Sequence, residues 1–246
     1  MHITGSSRMS NECLSGLPAP VLSLLRPHLT EITMDEGTIL WGPKEPSGDV
    51  YFPLSGLISI VVAMAEGECV AVGGIGREAM AGSTLDPGHF QLLTRGSVQI
   101  GGTFLRMAGI ELARAARQSD ELNNLITFCG DWILMQAQQL AACNAVHSAD
   151  KRFCRWLVEC YSRVDREPVN ITQESIAAIL GIRRTTVTLI AQRLQESGCI
   201  QYRRGHISIL DLPRLRAAAC ECFRTLDQRY WPSMRLARKK MEAKAP

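Results

Sequence analysis

The stretch ITQESIAAILGIRRTTVTLIAQRLQESG, residues 171–198, decides the architecture of this chain. Thr172 stands directly before Gln173 and Glu174 and three residues before Ser175. A hydroxyl in that place can cap a helix, and the Glu174 carboxylate favours its positive end. The pattern predicts a helix through Leu180 and a stop at Gly181, a residue that turns the chain at low strain. Arg183 or Arg184 then opens a second helix with Val187, Ile190, Ala191 and Leu194 as its inner face. Outside lie Arg183, Arg184, Thr185, Thr186, Thr188 and Gln192. They supply charge for phosphates and short donors and acceptors for base edges, the mixture that a helix in the major groove needs. Arg193 is expected nearer the phosphates, and Thr172 and Gln173 complete the set expected at DNA.

Downstream, CIQYRRGHISILD (199–211) reads as two short strands around Arg203, Arg204, Gly205 and His206, the wing of a winged helix. Two arginines at such a tip suit backbone phosphates. Upstream, ADKRFCRWLVECYSRV (149–164) is an amphipathic helix with Phe153, Leu157 and Tyr161 four residues apart on one face. Charge agrees with this division. Residues 1–150 carry 8 basic and 15 acidic groups, residues 151–246 carry 19 and 9, so a half of net −7 precedes a half of net +10. A basic half joined to an acidic one is the footprint of a nucleic-acid-binding domain beside a domain with another task.

Further towards the N-terminus, Ser119 is a plausible cap for a long helix over 120–146. Within it Leu122, Ile126, Cys129, Ile133, Gln136, Leu140 and Cys143 recur four and three residues apart. Such a row forms a narrow seam that suits a homodimer, with Gln136 against its symmetry mate; the alternative is packing on the chain's own β domain. From about 30 to 107, the short apolar runs DVYFPL, LISIVV, ECVAVGG and SVQIGG are punctuated by glycines at turn spacing, which predicts a compact β-rich domain. Pro18 and Pro20 precede VLSLLRPHL, read as a short helix leading into the strands.

Nothing approaches the roughly 18 consecutive apolar residues of a membrane span, and the N-terminus lacks the build of a secretory signal, so a cytoplasmic protein without membrane partners is expected. The cysteines, an odd nine, lie scattered through apolar contexts, as reduced core thiols do.

These strings resemble a known family. AACNAVHSADKRFCRWL, the 171–198 stretch, YRRGHISILD and ACECF are similar to the DNA-binding domain of Crp/Fnr transcription regulators. GTIL, VYFPLSGLISIV and VGGIGREAMAG resemble, more weakly, that family's β-roll sensor. The resemblance implies an α+β chain: a jelly-roll-like β-roll over 12–118, a dimerisation helix over 119–146, a winged helix-turn-helix over 147–223 and a basic tail over 224–246. It implies a homodimer on two-fold symmetric duplex DNA, with RNA polymerase as a further partner. Many members open the recognition helix with Ser-Arg-Glu and place an arginine four residues after the glutamate. Here Thr185 and Leu189 occupy those places, so the usual operator is not implied.

Members that bind cyclic nucleotides use a glycine-glutamate pair and a downstream arginine. The nearest counterparts are Glu78 and Arg95, outside a clean copy of that cassette, so the effector is left open and abundance could regulate instead. One N-terminal cysteine, Cys13, excludes an iron-sulfur cluster there. Cys220 and Cys222, two apart on an expected helix and with no histidine pair nearby in sequence, should point to different faces, so no metal or other cofactor is expected. GIGREA (74–79) formally fits a dinucleotide fingerprint, but Gly82 and Pro87 interrupt the helix it should open. No nucleophile, base and acid can be assembled, which argues against an enzyme. The rival reading is a ligand-binding or scaffold protein whose winged helix meets protein partners rather than DNA.

Overall fold

The computed structural model describes residues 11–43, 48–65, 68–82, 93–164, 169–203 and 205–228. Two short helices, α1 (Glu12–Ser15) and α2 (Ala19–Leu25), precede the strands. The expected helix over 21–29 is shorter than its sequence pattern, because Pro27 tightens the chain into a 3-10 turn over Arg26–His28.

The eight strands that follow are β1 (Thr30–Met34), β2 (Ile39–Trp41), β3 (Asp49–Pro53), β4 (Leu57–Ala63), β5 (Cys69–Ile75), β6 (Ala81–Gly82), β7 (Thr94–Ile100) and β8 (Gly102–Ala108). They form two antiparallel four-stranded sheets, in the orders β1-β8-β3-β6 and β2-β7-β4-β5. Phe52, Ile58, Ile75, Val98 and Phe104 are buried in the core. On β7, Gly96 pairs with Trp41 and lies directly under its indole. After Ile75 the chain turns and no helix opens, so GIGREA is a strand end followed by a turn.

Helix α3 (Gly109–Ala116) leads to α4 (Asp120–Val146), whose first turn is capped by Ser119 Oγ accepting from Leu122 N. Leu122, Leu125, Phe128, Cys129 and Trp132 enter the core of the β domain. Helix α5 (Ala149–Arg163) buries Phe153 and Leu157 as expected, but Tyr161 is exposed; Cys160 and Val164 continue the inner face instead. No helix among the described residues is long and apolar enough to cross a membrane.

A second core joins α5 to α6 (Gln173–Leu180), α7 (Arg184–Glu196), α8 (Leu212–Ala218) and a three-stranded sheet of order β10-β11-β9. Those strands are β9 (Val169–Asn170), β10 (Ile200–Arg203) and β11 (His206–Ile209). Leu57 and Ile100 of the β domain belong to this second core, so the two halves pack on each other.

Candidate nucleic-acid interface

The turn between α6 and α7 is built from the residues that announce it. Thr172 Oγ1 accepts from Ser175 N at 3.1 Å, closing the first turn of α6. Gly181 sits at φ +60°, the left-handed conformation that lets the chain leave α6, and Ile182 N donates back to Ala177 O. A β-carbon at Gly181 would also stand 2.9 Å from Val70 Cγ2 on β5. Helix α7 starts at Arg184 and buries Val187, Ile190, Ala191 and Leu194, the face expected from its spacing.

The opposite side of α7 is open. Arg183, Arg184, Thr185, Leu189, Gln192 and Arg193 are exposed, while Thr186 and Thr188 are half-buried. Thr188 Oγ1 lies 2.8 Å from Gln173 Oε1, so these two expected contact residues join α6 to α7. Arg193 is ion-paired with Asp150 at the start of α5. Leu189, 55% exposed, puts an apolar side chain amid this polar row. Beside α7, β10 ends at the exposed Arg203 and β11 returns from Gly205 at φ +83°. Arg204 lies outside the described residues, as does the basic tail beyond residue 228.

The seam expected on α4 is occupied within the single chain. Leu122, Cys129, Gln136 and Cys143 are each no more than 2% exposed, and Ile126 and Ile133 pack against the β-domain core. Leu140 is half-buried. Gln136 Oε1 accepts from Gly74 N at 3.1 Å and from Arg163 at 3.2 Å. In the single chain that row follows the alternative, packing on the chain's own β domain beside β5. The open side of α4 carries Thr127, Gly130, Leu134, Gln138, Ala141 and Ala145, and a β-carbon at Gly130 would meet nothing within 4 Å.

Glu78 and Arg95 line different cavities. Glu78, 7% exposed, pairs with Arg163 of α5 at 3.1 Å. It borders a cavity of about 480 Å³ together with Glu12, Trp132, Arg216 and Phe223. Arg95 donates to Cys69 Sγ at 3.5 Å and borders a smaller cavity beside Glu36 and Ser175. The fold does not bring the two together as one effector site.

The reading of Cys220 and Cys222 is also corrected. Cys220 precedes the helical residues 222–228 in non-helical chain, so its thiol and that of Cys222 converge instead of pointing apart. They meet Cys143 and His147 from the end of α4, and the four potential ligand atoms all lie within 4.8 Å of one another. Burial pushes the Cys143 thiol up to about 12. Cys143 and His147 stand four apart and Cys220 and Cys222 two apart; the paired spacings were the available signal, split across more than seventy residues of chain.

A Crp-like helix-turn-helix domain model matches residues 151–218. The chain carries a Crp-like helix-turn-helix domain on a Crp/Fnr fold. Among solved structures, FixK2 of Bradyrhizobium japonicum is similar at a TM-score of 0.66 and 16% identity, over 78% of this chain and 98% of that one. A Crp/Fnr-family chain from Eubacterium rectale matches at 0.64 and 19%, over 84% and 97%. The c-di-GMP-responsive regulator CLP of Xanthomonas campestris matches at 0.63 and 14%, over 79% and 100%. No curated protein sequence matches this chain. Within the matched residues, α6 and α7 are the two helices on either side of the Gly181 turn, and β10 and β11 form the hairpin that follows them.

Proposed function

We propose that this chain is a sequence-specific DNA-binding transcription regulator, not an enzyme, and that it works in the cytoplasm as a homodimer. The exposed row of Arg183, Arg184, Thr185, Leu189 and Gln192 carries this reading. It lies beside a wing strand ending in Arg203, in the half of the chain with net charge +10. Arginines can fork onto guanine, threonine and glutamine can bond base edges, and the Leu189 side chain can meet a thymine methyl. Thr172, Gln173, Thr188, Arg193, Arg203 and Arg204 serve the phosphates or hold the reading head in register.

The partner chain sits on the open side of α4. Gly130 costs an isolated helix about 1 kcal/mol relative to alanine, and with the small residues Ala141 and Ala145 it lets a second helix approach closely. Two heads held this way read half-sites about 34 Å apart, and RNA polymerase is the further partner at a promoter. An effector in the cavity bordered by Glu78, Trp132 and Phe223 touches the β domain, α4 and the C-terminal segment at once, and so can bias their arrangement. Without an effector, abundance regulates.

Duplex binding measured across a salt series tests the reading. Phosphate contacts release counterions, so the logarithm of affinity should fall steeply with the logarithm of salt. Negligible, salt-independent binding would favour a winged helix that contacts protein and would sink the DNA reading.

A further inference from the structure

Cys143 and His147 stand one turn apart where α4 ends. Cys220 lies in the connection that follows α8, and Cys222 opens the helical residues 222–228. Cys143 Sγ lies 3.6 Å from Cys220 Sγ, and Cys222 Sγ lies 3.6 Å from His147 Nδ1. Zinc bound at about 2.3 Å to sulfur and about 2.0 Å to nitrogen makes a tetrahedron with edges of roughly 3.8 Å between sulfurs and roughly 3.5 Å between sulfur and nitrogen. These two separations match those edges, and the other pairs of ligand atoms lie within 4.8 Å.

The surroundings are those of ligands rather than of idle thiols. His147 Nε2 lies 3.3 Å from Glu221 Oε2, which places a carboxylate on the ring nitrogen away from the cluster and leaves Nδ1 facing the sulfurs. A carboxylate in that place fixes the tautomer and orientation of a ligating histidine. Gln139 Nε2 donates to Cys222 Sγ at 3.2 Å, a bond that supports a thiolate. All three cysteines are buried at 2% exposure or less and form a small cluster of their own, separate from both apolar cores. The Arg155 guanidinium, 3% exposed, adds positive potential at Cys143.

We propose that Cys143, His147, Cys220 and Cys222 bind one zinc ion that staples the end of α4 to the last segment of the winged-helix domain. On binding, the three thiols release their protons to solvent and the neutral imidazole binds through Nδ1, leaving one net negative charge on the site. Sulfur and imidazole ligands in a closed tetrahedron are the set of a structural zinc site. The staple fixes the angle at which the reading head leaves α4, so metal supply becomes an input to the head's placement.

The test uses the full chain, purified under reducing conditions without chelator. Metal analysis should find one zinc per chain. Cobalt(II) added to the stripped protein should give a thiolate-to-cobalt charge-transfer band and the intense visible bands of tetrahedral coordination. Cys143→Ser, Cys220→Ser and Cys222→Ser should each lose both signals, while Cys69→Ser, on β5, should keep them. Because a buried cysteine variant can fail to fold, Glu221→Ala supplies a second arm: its circular dichroism should match the parent while zinc affinity falls about 10- to 100-fold. A reduced, folded chain that takes up neither zinc nor cobalt would overturn the site. So would metal retained in all three cysteine variants, or a Cys143–Cys220 disulfide whose reduction leaves no metal uptake. None of these readings involves DNA, so they stand apart from the outcome of the duplex-binding experiment.

Discussion

Glu36, in the turn after β1, accepts a hydrogen bond from Ser175 Oγ of α6 at 2.8 Å, joining the β domain to the first helix of the reading head. The same carboxylate oxygen stands 3.5 Å from Thr172 N, at the cap of that helix. One side chain thus touches the start of α6 while α6 packs along β5.

Removing this link should loosen the head without unfolding it. A part-buried hydrogen bond contributes about 1 kcal/mol net, so Glu36→Ala should raise the local opening equilibrium of α6 about fivefold. Amide hydrogen exchange over 173–180 reads this directly. Unchanged protection there would show that apolar packing between α6 and β5 holds the head alone.

Arg184 and Arg203 should fail in different ways. Arg184→Ala removes a candidate base contact and should cost about 1–3 kcal/mol at a preferred site while relaxing preference there. Arg203→Ala removes a phosphate contact and should weaken all sequences alike, reducing the salt slope by about 1. Selection from random duplexes with each variant separates the two. The same selected sequences from Arg184→Ala and the parent would mean that α7 reads DNA through other residues.

Gly96 is needed for its lack of a side chain. A β-carbon there would lie 2.3 Å from the Trp41 indole, which is itself buried at 5% exposure. Gly96→Ala must displace that ring, an overpacking that costs about 1–3 kcal/mol. A urea midpoint equal to the parent's would show that Trp41 finds another rotamer at no cost.

The two sides of α4 should answer differently to a charge. Leu134, 56% exposed, lies on the open row, and Leu134→Asp should leave the chain folded but shift sedimentation from dimer to monomer. Leu122, 0% exposed, lies in the core, and Leu122→Asp should unfold the β domain because it buries an unpaired carboxylate. A dimeric Leu134→Asp chain would place the partner elsewhere.

Gly181 combines a positive φ with a close neighbour. Gly181→Ala should cost about 1–2 kcal/mol in backbone strain, and its β-carbon, 2.9 Å from Val70, should press α6 away from β5. Thermal melting and hydrogen exchange in α6 should both move. A change in melting alone would confine the effect to the turn.

Whatever depends on near neighbours along the chain was legible in the order of residues. Thr172 as cap, Gly181 as stop, the buried face of Val187, Ile190, Ala191 and Leu194, and the span of α4 all follow from hydrogen bonds and periodicities closed within a few residues. Which partner each face meets depends on how whole elements pack together. Periodicity marked an apolar row on α4, but a row has no label saying whether a second chain or the hollow beside β5 will cover it; Gln136 went to Gly74 and Arg163. Glu78 and Arg95 are the nearest counterparts of the family's glutamate and arginine, and the fold places them at separate cavities. Cys220 and Cys222 looked divergent under a helical rule, yet Cys220 falls before the helix and meets Cys143, while Cys222 meets His147, seventy-five residues before it. Contacts that close such long loops are set by the packing of whole elements, and local pattern carries no record of them.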